Sequence, residues 1–168
     1  MNEIISSKGY SNQVGILVNQ MIYTRENLIK LTRNLSQENL DFNFDSMSNS
    51  IGTLLLHIAA LEFKFLLNNF SYDDFDEKVF EEISRAAPFN MNKRLVYGYE
   101  FDYYFKYLNK FRKETLLSLR KVDDNWLFKK VKTNNGEILG NNYYLLRHII
   151  DDEISHQGQI KIILNRIS

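Results

Sequence analysis

A single proline, Pro88, and seven glycines punctuate the 168 residues of this chain. These two residue types are the strongest interrupters of regular structure, so their scarcity favours long helices over many short strands. Apolar spacing supports the same reading. From Ser11, a plausible N-cap, to Leu35, the residues Val14, Leu17, Met21, Leu28 and Leu31 recur on one helical face. A polar turn, "SQENLDFNFDSMSNS", ends at Ser50, a good cap for the next helix. That helix, 51–69, carries Leu54, Ile58, Leu61 and Phe65 in its stripe, and His57 falls on the same face, expected to point inward.

The stretch 70–99 is less regular. Within it "DDFDEKVFEEISRAA" has acids in its first turn and Phe75, Val79 and Ile83 spaced by four, which predicts a short helix ended by Pro88. A third long helix is expected over 100–122, with Phe101, Tyr104, Leu108, Phe111, Thr115 and Leu119 inward. The pattern then turns β-like around Asn135-Gly136, a strong hairpin signal. A fourth helix is expected over 142–166. The predicted architecture is all-α: an up-down four-helix bundle with a short β-hairpin before the last helix, forming one domain over 1–168.

Composition narrows the function classes. A chain of this length buries about 70% of its unfolded surface and needs no covalent staple. It contains no cysteine, which removes disulfides, thiolate metal sites and a cysteine nucleophile together. Lys plus Arg and Asp plus Glu are equal, at 21 each, whereas a nucleic-acid binder normally carries a basic excess. The basic "LFKKVKT" reads as a solvated face. The opening "MNEIISSKGYSN" lacks signal-peptide character, and no uninterrupted apolar run approaches a bilayer's thickness. The expectation is a soluble, cytoplasmic protein with neither a nucleic-acid nor a membrane partner.

One segment departs from ordinary core chemistry. In "LLRHIIDDEISHQGQIKIIL", Leu145, Ile149, Ile160 and Ile163 define a helical stripe, and Asp152 and His156 fall inside the same arc, one turn apart. Glu153 lies at one edge and His148 at the other. A carboxylate in a core must be paired, protonated or bound to a metal. Two arrangements satisfy these residues. His57, Asp152 and His156 can converge on a metal with open coordination positions, or Asp152 and His156 can pair with each other while His57 bonds a backbone carbonyl. Glu153 and His156 also spell the Glu-x-x-His of di-iron bundles, but no second copy of that motif exists. Gly158 costs the helix about 1 kcal/mol relative to alanine, and tight packing is its ordinary explanation.

"SIGTLLLHIAALE" followed by "HIIDDEISHQGQI" resembles the DinB/YfiT-like superfamily over nearly the whole chain. The resemblance implies a four-helix bundle, a homodimer, and a divalent metal on the inner face, zinc or nickel first and iron or manganese next. His57 and His156 match two of the family's three histidine positions, and Asp152 stands where the third would be. It further implies a metal-dependent hydrolase or transferase acting on a small substrate, with a low-molecular-weight thiol such as bacillithiol or mycothiol as cosubstrate. Glu153 and Gln159 are then candidates for supporting or substrate-orienting roles, and Tyr104 and Tyr143 for lining the cleft. The competing readings are a non-catalytic dimeric ligand-binding or stress-associated bundle, and a structural bundle whose histidines bind nothing.

Overall fold

The computed structural model describes residues 3–45, 48–70, 77–84, 96–133 and 135–167. Four long helices dominate: α1 (Asn12–Thr32), α3 (Ile51–Asn69), α5 (Phe101–Leu119) and α7 (Asn142–Ile167). Shorter α2 (Gln37–Asp41), α4 (Glu77–Ser84) and α6 (Asp124–Leu127) lie between them. β1 (Lys130–Lys132) and β2 (Ile138–Asn141) pair antiparallel just before α7. Phe75 and Pro88, expected to start and stop the short helix, lie outside the described residues.

Capping explains several boundaries. Ser50 accepts from Thr53 N, as its position before α3 predicts. Ser11 sits at the N-cap of α1, but its side chain caps nothing there. It donates to Asp124 Oδ1 instead, and that same oxygen accepts from Gln13 N and Val14 N. An acid from α6 therefore satisfies two of the orphan donors of α1 across more than a hundred residues of sequence. The polar turn after α1 also holds a surprise. Leu40 is fully buried, and this apolar anchor stabilises a short helix, α2, behind the N-cap Ser36. In the hairpin, Gly136 takes φ +83°, a conformation that favours glycine, and donates to Thr133 O.

Side-chain pairs fix the helix directions. Tyr104 faces Gly52 and Arg112 pairs with Glu62, so α3 and α5 run parallel. Arg147 bonds Gln20 and Gln157 bonds Thr24, so α1 and α7 run parallel. Tyr10 bonds Leu116 and Arg25 bonds Leu108, so α1 opposes α5. The order is up, down, down, up. Two successive parallel helices need a long return connection, and residues 70–100, which include α4, supply it.

α3 is long and apolar enough by composition to cross a membrane, although His57, Glu62 and Lys64 interrupt its apolar run. Its apolar residues surround the helix because α2, α4, α5 and α7 all pack on it, and most of it is buried in the bundle. Buried contact also explains Gly52. A Cβ there would lie 2.3 Å from the Tyr104 hydroxyl and 2.6 Å from its ring. Tyr104 is fully buried and cannot swing away. Gly52→Ala is expected to destabilise the fold by about 1–3 kcal/mol through overpacking, read as a lower urea midpoint at unchanged slope.

The apolar core is divided. One cluster joins Leu28, Leu54, Ile58, Leu108, Phe111 and Ile160, and the other joins Leu17, Met21, Phe65, Leu119, Leu146 and Ile149. Along each long helix a buried charge falls between the two: Arg25, Glu62, Arg112 and Glu153. Arg25 Nε donates to Glu153 Oε1 at 2.7 Å, and its Nη2 donates to Glu62 Oε2 at 2.9 Å. Arg112 Nε donates to Glu62 Oε1 at 2.6 Å, and its Nη2 donates to Glu153 Oε2 at 2.8 Å. Each guanidinium also donates to a backbone carbonyl, Arg25 to Leu108 and Arg112 to Met21. Burial pushes the Glu62 carboxyl up, but Arg112 and Arg25 prevail and hold it below the usual carboxylate value.

Candidate metal centre

α3 and α7 lie side by side, and their facing edges carry the three residues singled out in the sequence. His57 projects from the middle of α3. Asp152 and His156 stack one turn apart on α7. His57 Nε2 lies 3.8 Å from Asp152 Oδ2, and His156 Nε2 lies 3.2 Å from the same oxygen. The two imidazole rings meet edge to face at 4.9 Å. One potential ligand atom from each residue falls within 4.8 Å of the others, so the cluster could hold a metal ion. These separations bracket the roughly 3.4 Å between ligand atoms around a tetrahedral zinc.

The site is shallower than the helical wheel suggests. The side chains of His57, Asp152 and His156 are 19%, 21% and 13% exposed, which puts them at the rim of the bundle rather than inside it. The helical stripe merges into the solvent-facing edge at this point. The consequence is chemical, because a half-buried cluster leaves room for an external group.

The outer partners sharpen the picture. Gln159 Oε1 lies 3.2 Å from His156 Nδ1. A carbonyl oxygen only accepts, so with Gln159 in this orientation the contact suits the imidazole that carries a proton on Nδ1. Nε2 then faces Asp152 Oδ2 at 3.2 Å, and neither of those buried atoms has a hydrogen-bond partner of acceptable geometry. Two acceptors at that distance require a proton or a cation between them. Burial pulls the His156 imidazole down, but the Asp152 carboxylate and Gln159 more than offset it, and its pKa lies above the ordinary histidine value. For Asp152, burial pushes the carboxyl up, while His156, then His57 and His148, bring it below the ordinary value.

Several other candidates do not face the three ligands directly. Glu153, proposed from sequence as a supporting or orienting group, is 1% exposed, and both its oxygens are taken by Arg25 and Arg112. One residue's difference turns it about 100° from Asp152, from the rim into the core. Tyr143 is exposed and stacks on Phe128, and Tyr104 is fully buried against Gly52, so neither is placed as a lining of an open cleft. His148 is exposed and stacks on Tyr144. Gly158 does not report tight packing, because a Cβ there would meet nothing within 4 Å. Arg25, Glu62 and Arg112 were not anticipated. Their signal was present as one charge inside the apolar stripe of each helix.

Known proteins share this arrangement of helices. A solved structure described as a conserved protein from Enterococcus faecalis superposes with a TM-score of 0.67 at 16% identity, covering 88% of this chain and 92% of that one. A DinB-like protein from Bacillus cereus ATCC 10987 superposes with a TM-score of 0.58 at 19% identity, covering 90% and 91%. At these identities the likeness concerns the fold. No curated protein matches the sequence. The family model described as DinB matches residues 11–167, from the N-cap of α1 to the last turn of α7, and the chain belongs to the DinB family.

Proposed function

We propose that His57, Asp152 and His156 hold a divalent metal, with zinc or nickel the best suited, and that the protein is a metal-dependent hydrolase or transferase for a small, thiol-conjugated substrate. The observation that carries the metal reading is the convergence of His156 Nε2 and Asp152 Oδ2, which lie 3.2 Å apart with no hydrogen bond made by either atom, with His57 Nε2 beside them. A cation would satisfy the first two atoms at once, within reach of His57 Nε2. Gln159 then acts as the partner that fixes the imidazole tautomer and orients its ring. A bound metal would lower the pKa of a coordinated water or thiol at neutral pH. The rim position supports access for an external molecule, and the absence of cysteine requires any thiol to arrive as a cosubstrate.

Two measurements test this reading. Untagged protein should purify with a stoichiometric divalent ion that is absent from His156→Ala. A DinB-fold bundle that returns no metal from either preparation, and takes up none on titration, would end the metal reading. Loaded protein that fails to turn over thiol conjugates and electrophile–thiol pairs would leave the non-catalytic ligand-binding alternative.

The pH dependence has a definite sign. A proton on His156 competes with the metal, so affinity should fall as pH drops through the raised His156 pKa and level off above it. In the metal-free protein the same shift acts oppositely. The His156–Asp152 pairing contributes stability below the unfolded histidine pKa, and this is lost as pH rises through the folded value. Zinc affinity and metal-free thermal stability should therefore move in opposite directions across the histidine range. Titration calorimetry in buffers of different ionisation enthalpy should also record proton release on binding. Affinity independent of pH across that range would contradict the assignment of His156.

A further inference from the structure

We infer that the buried layer of Arg25, Glu62, Arg112 and Glu153 is the positioning device for the metal site, setting the rotation of α7 and α3 that brings the three ligands together; this rests on the metal reading above. One member comes from each long helix, and seven hydrogen bonds close the network. Glu153 is the neighbour of Asp152 and lies three residues before His156, while Glu62 lies five residues after His57. The layer therefore grips α7 directly beside its ligands and α3 little more than a turn beyond His57.

Rotation is the coordinate that matters. A side-chain tip about 6 Å from a helix axis moves by about 2 Å when the helix turns 20°. Metal–ligand distances tolerate only about 0.2 Å. Apolar burial is non-directional, and cores accept many volume-conserving substitutions, so it fixes rotation less closely than oriented hydrogen bonds do. Charge-assisted hydrogen bonds from a planar guanidinium are directional and resist it. Both carboxylates accept from both arginines, so turning either α3 or α7 breaks bonds to α1 and α5 at once. Stability alone is a weak reason for such a layer, because well-packed apolar residues of similar volume are often at least as stabilising. The cost is explained if the layer fixes geometry.

That difference supplies the test. The fourfold replacement Arg25→Met, Glu62→Leu, Arg112→Met and Glu153→Leu removes every charge together and leaves none unpaired. Zinc affinity is read by competition with a chromophoric chelator, the ligand field by the visible bands of added Co²⁺, and the fold by circular dichroism. The replaced protein should remain helical, bind zinc about 10–100-fold more weakly and give altered Co²⁺ bands, as when an outer partner of a ligand is lost. Glu153→Gln, which keeps the shape and removes one charge, should also weaken zinc if the fourfold variant fails to fold. Leu119→Ala, destabilised at a distance from the site, should bind zinc like the wild type. Wild-type zinc affinity and Co²⁺ bands in a folded layer variant would overturn the positioning role while leaving the metal reading intact. A wild-type protein that binds no zinc would remove both.

Discussion

Asp152→Asn is expected to lower zinc affinity by more than about 100-fold, exceeding the 10–100-fold worth of an outer partner, because it would remove the only charged ligand of the proposed triad. The substitution preserves shape, so the loss reports charge and donor strength rather than packing. Asp152 Oδ2 is the atom common to both short approaches, at 3.8 Å to His57 and 3.2 Å to His156. Its loss leaves two neutral imidazoles. Gln159→Ala should have a smaller effect in the same direction, through the freed His156 ring. His148→Ala should leave affinity unchanged, since that residue is exposed and stacked on Tyr144. Competition titrations with a chromophoric chelator separate the three variants. Equal affinity for the wild type and Asp152→Asn would remove the carboxylate from the ligand set.

Glu62→Ala should destabilise the fold by about 3–5 kcal/mol, because it strands two buried guanidiniums with one carboxylate between them. Glu62 is fully buried, and both Arg25 and Arg112 lose a partner with it. For a domain of this size that corresponds to a fall of about 10–15 °C in Tm. The effect is a large part of the 5–15 kcal/mol that holds a typical native domain together. Thermal unfolding followed by circular dichroism measures it. A shift of only a degree or two would mean that water enters and solvates the arginines. The contrast with the fourfold apolar replacement is informative, since removing one partner is costly while removing all four is not.

The two expected results concern neighbouring residues with unlike roles. Asp152 and Glu153 are adjacent acids in "HIIDDEISH". One faces the rim and two histidines, the other faces the core and two arginines. Helical phase shows that they point about 100° apart, but it does not say what stands opposite each. The partners of Glu153 come from positions 25 and 112, more than forty residues away in sequence.

The long helices were legible in the sequence because their cause is local. Scarce proline and glycine, apolar residues at helical spacing, Ser50 before α3 and Asn135-Gly136 at the hairpin all act within a few residues. The candidate ligands His57, Asp152 and His156 were legible for the same reason, being polar groups placed in apolar stripes. Only the tertiary structure decided what depends on neighbours distant in sequence. It set the parallel run of α3 and α5, the capping of α1 by Asp124, the short helix anchored by Leu40, and the burial of Tyr104 against Gly52. It also joined four separate charges into one layer. A one-dimensional pattern can show that Arg25, Glu62, Arg112 and Glu153 each interrupt a stripe. That the interruptions lie at the same height, with opposite signs facing, follows from how the helices stack.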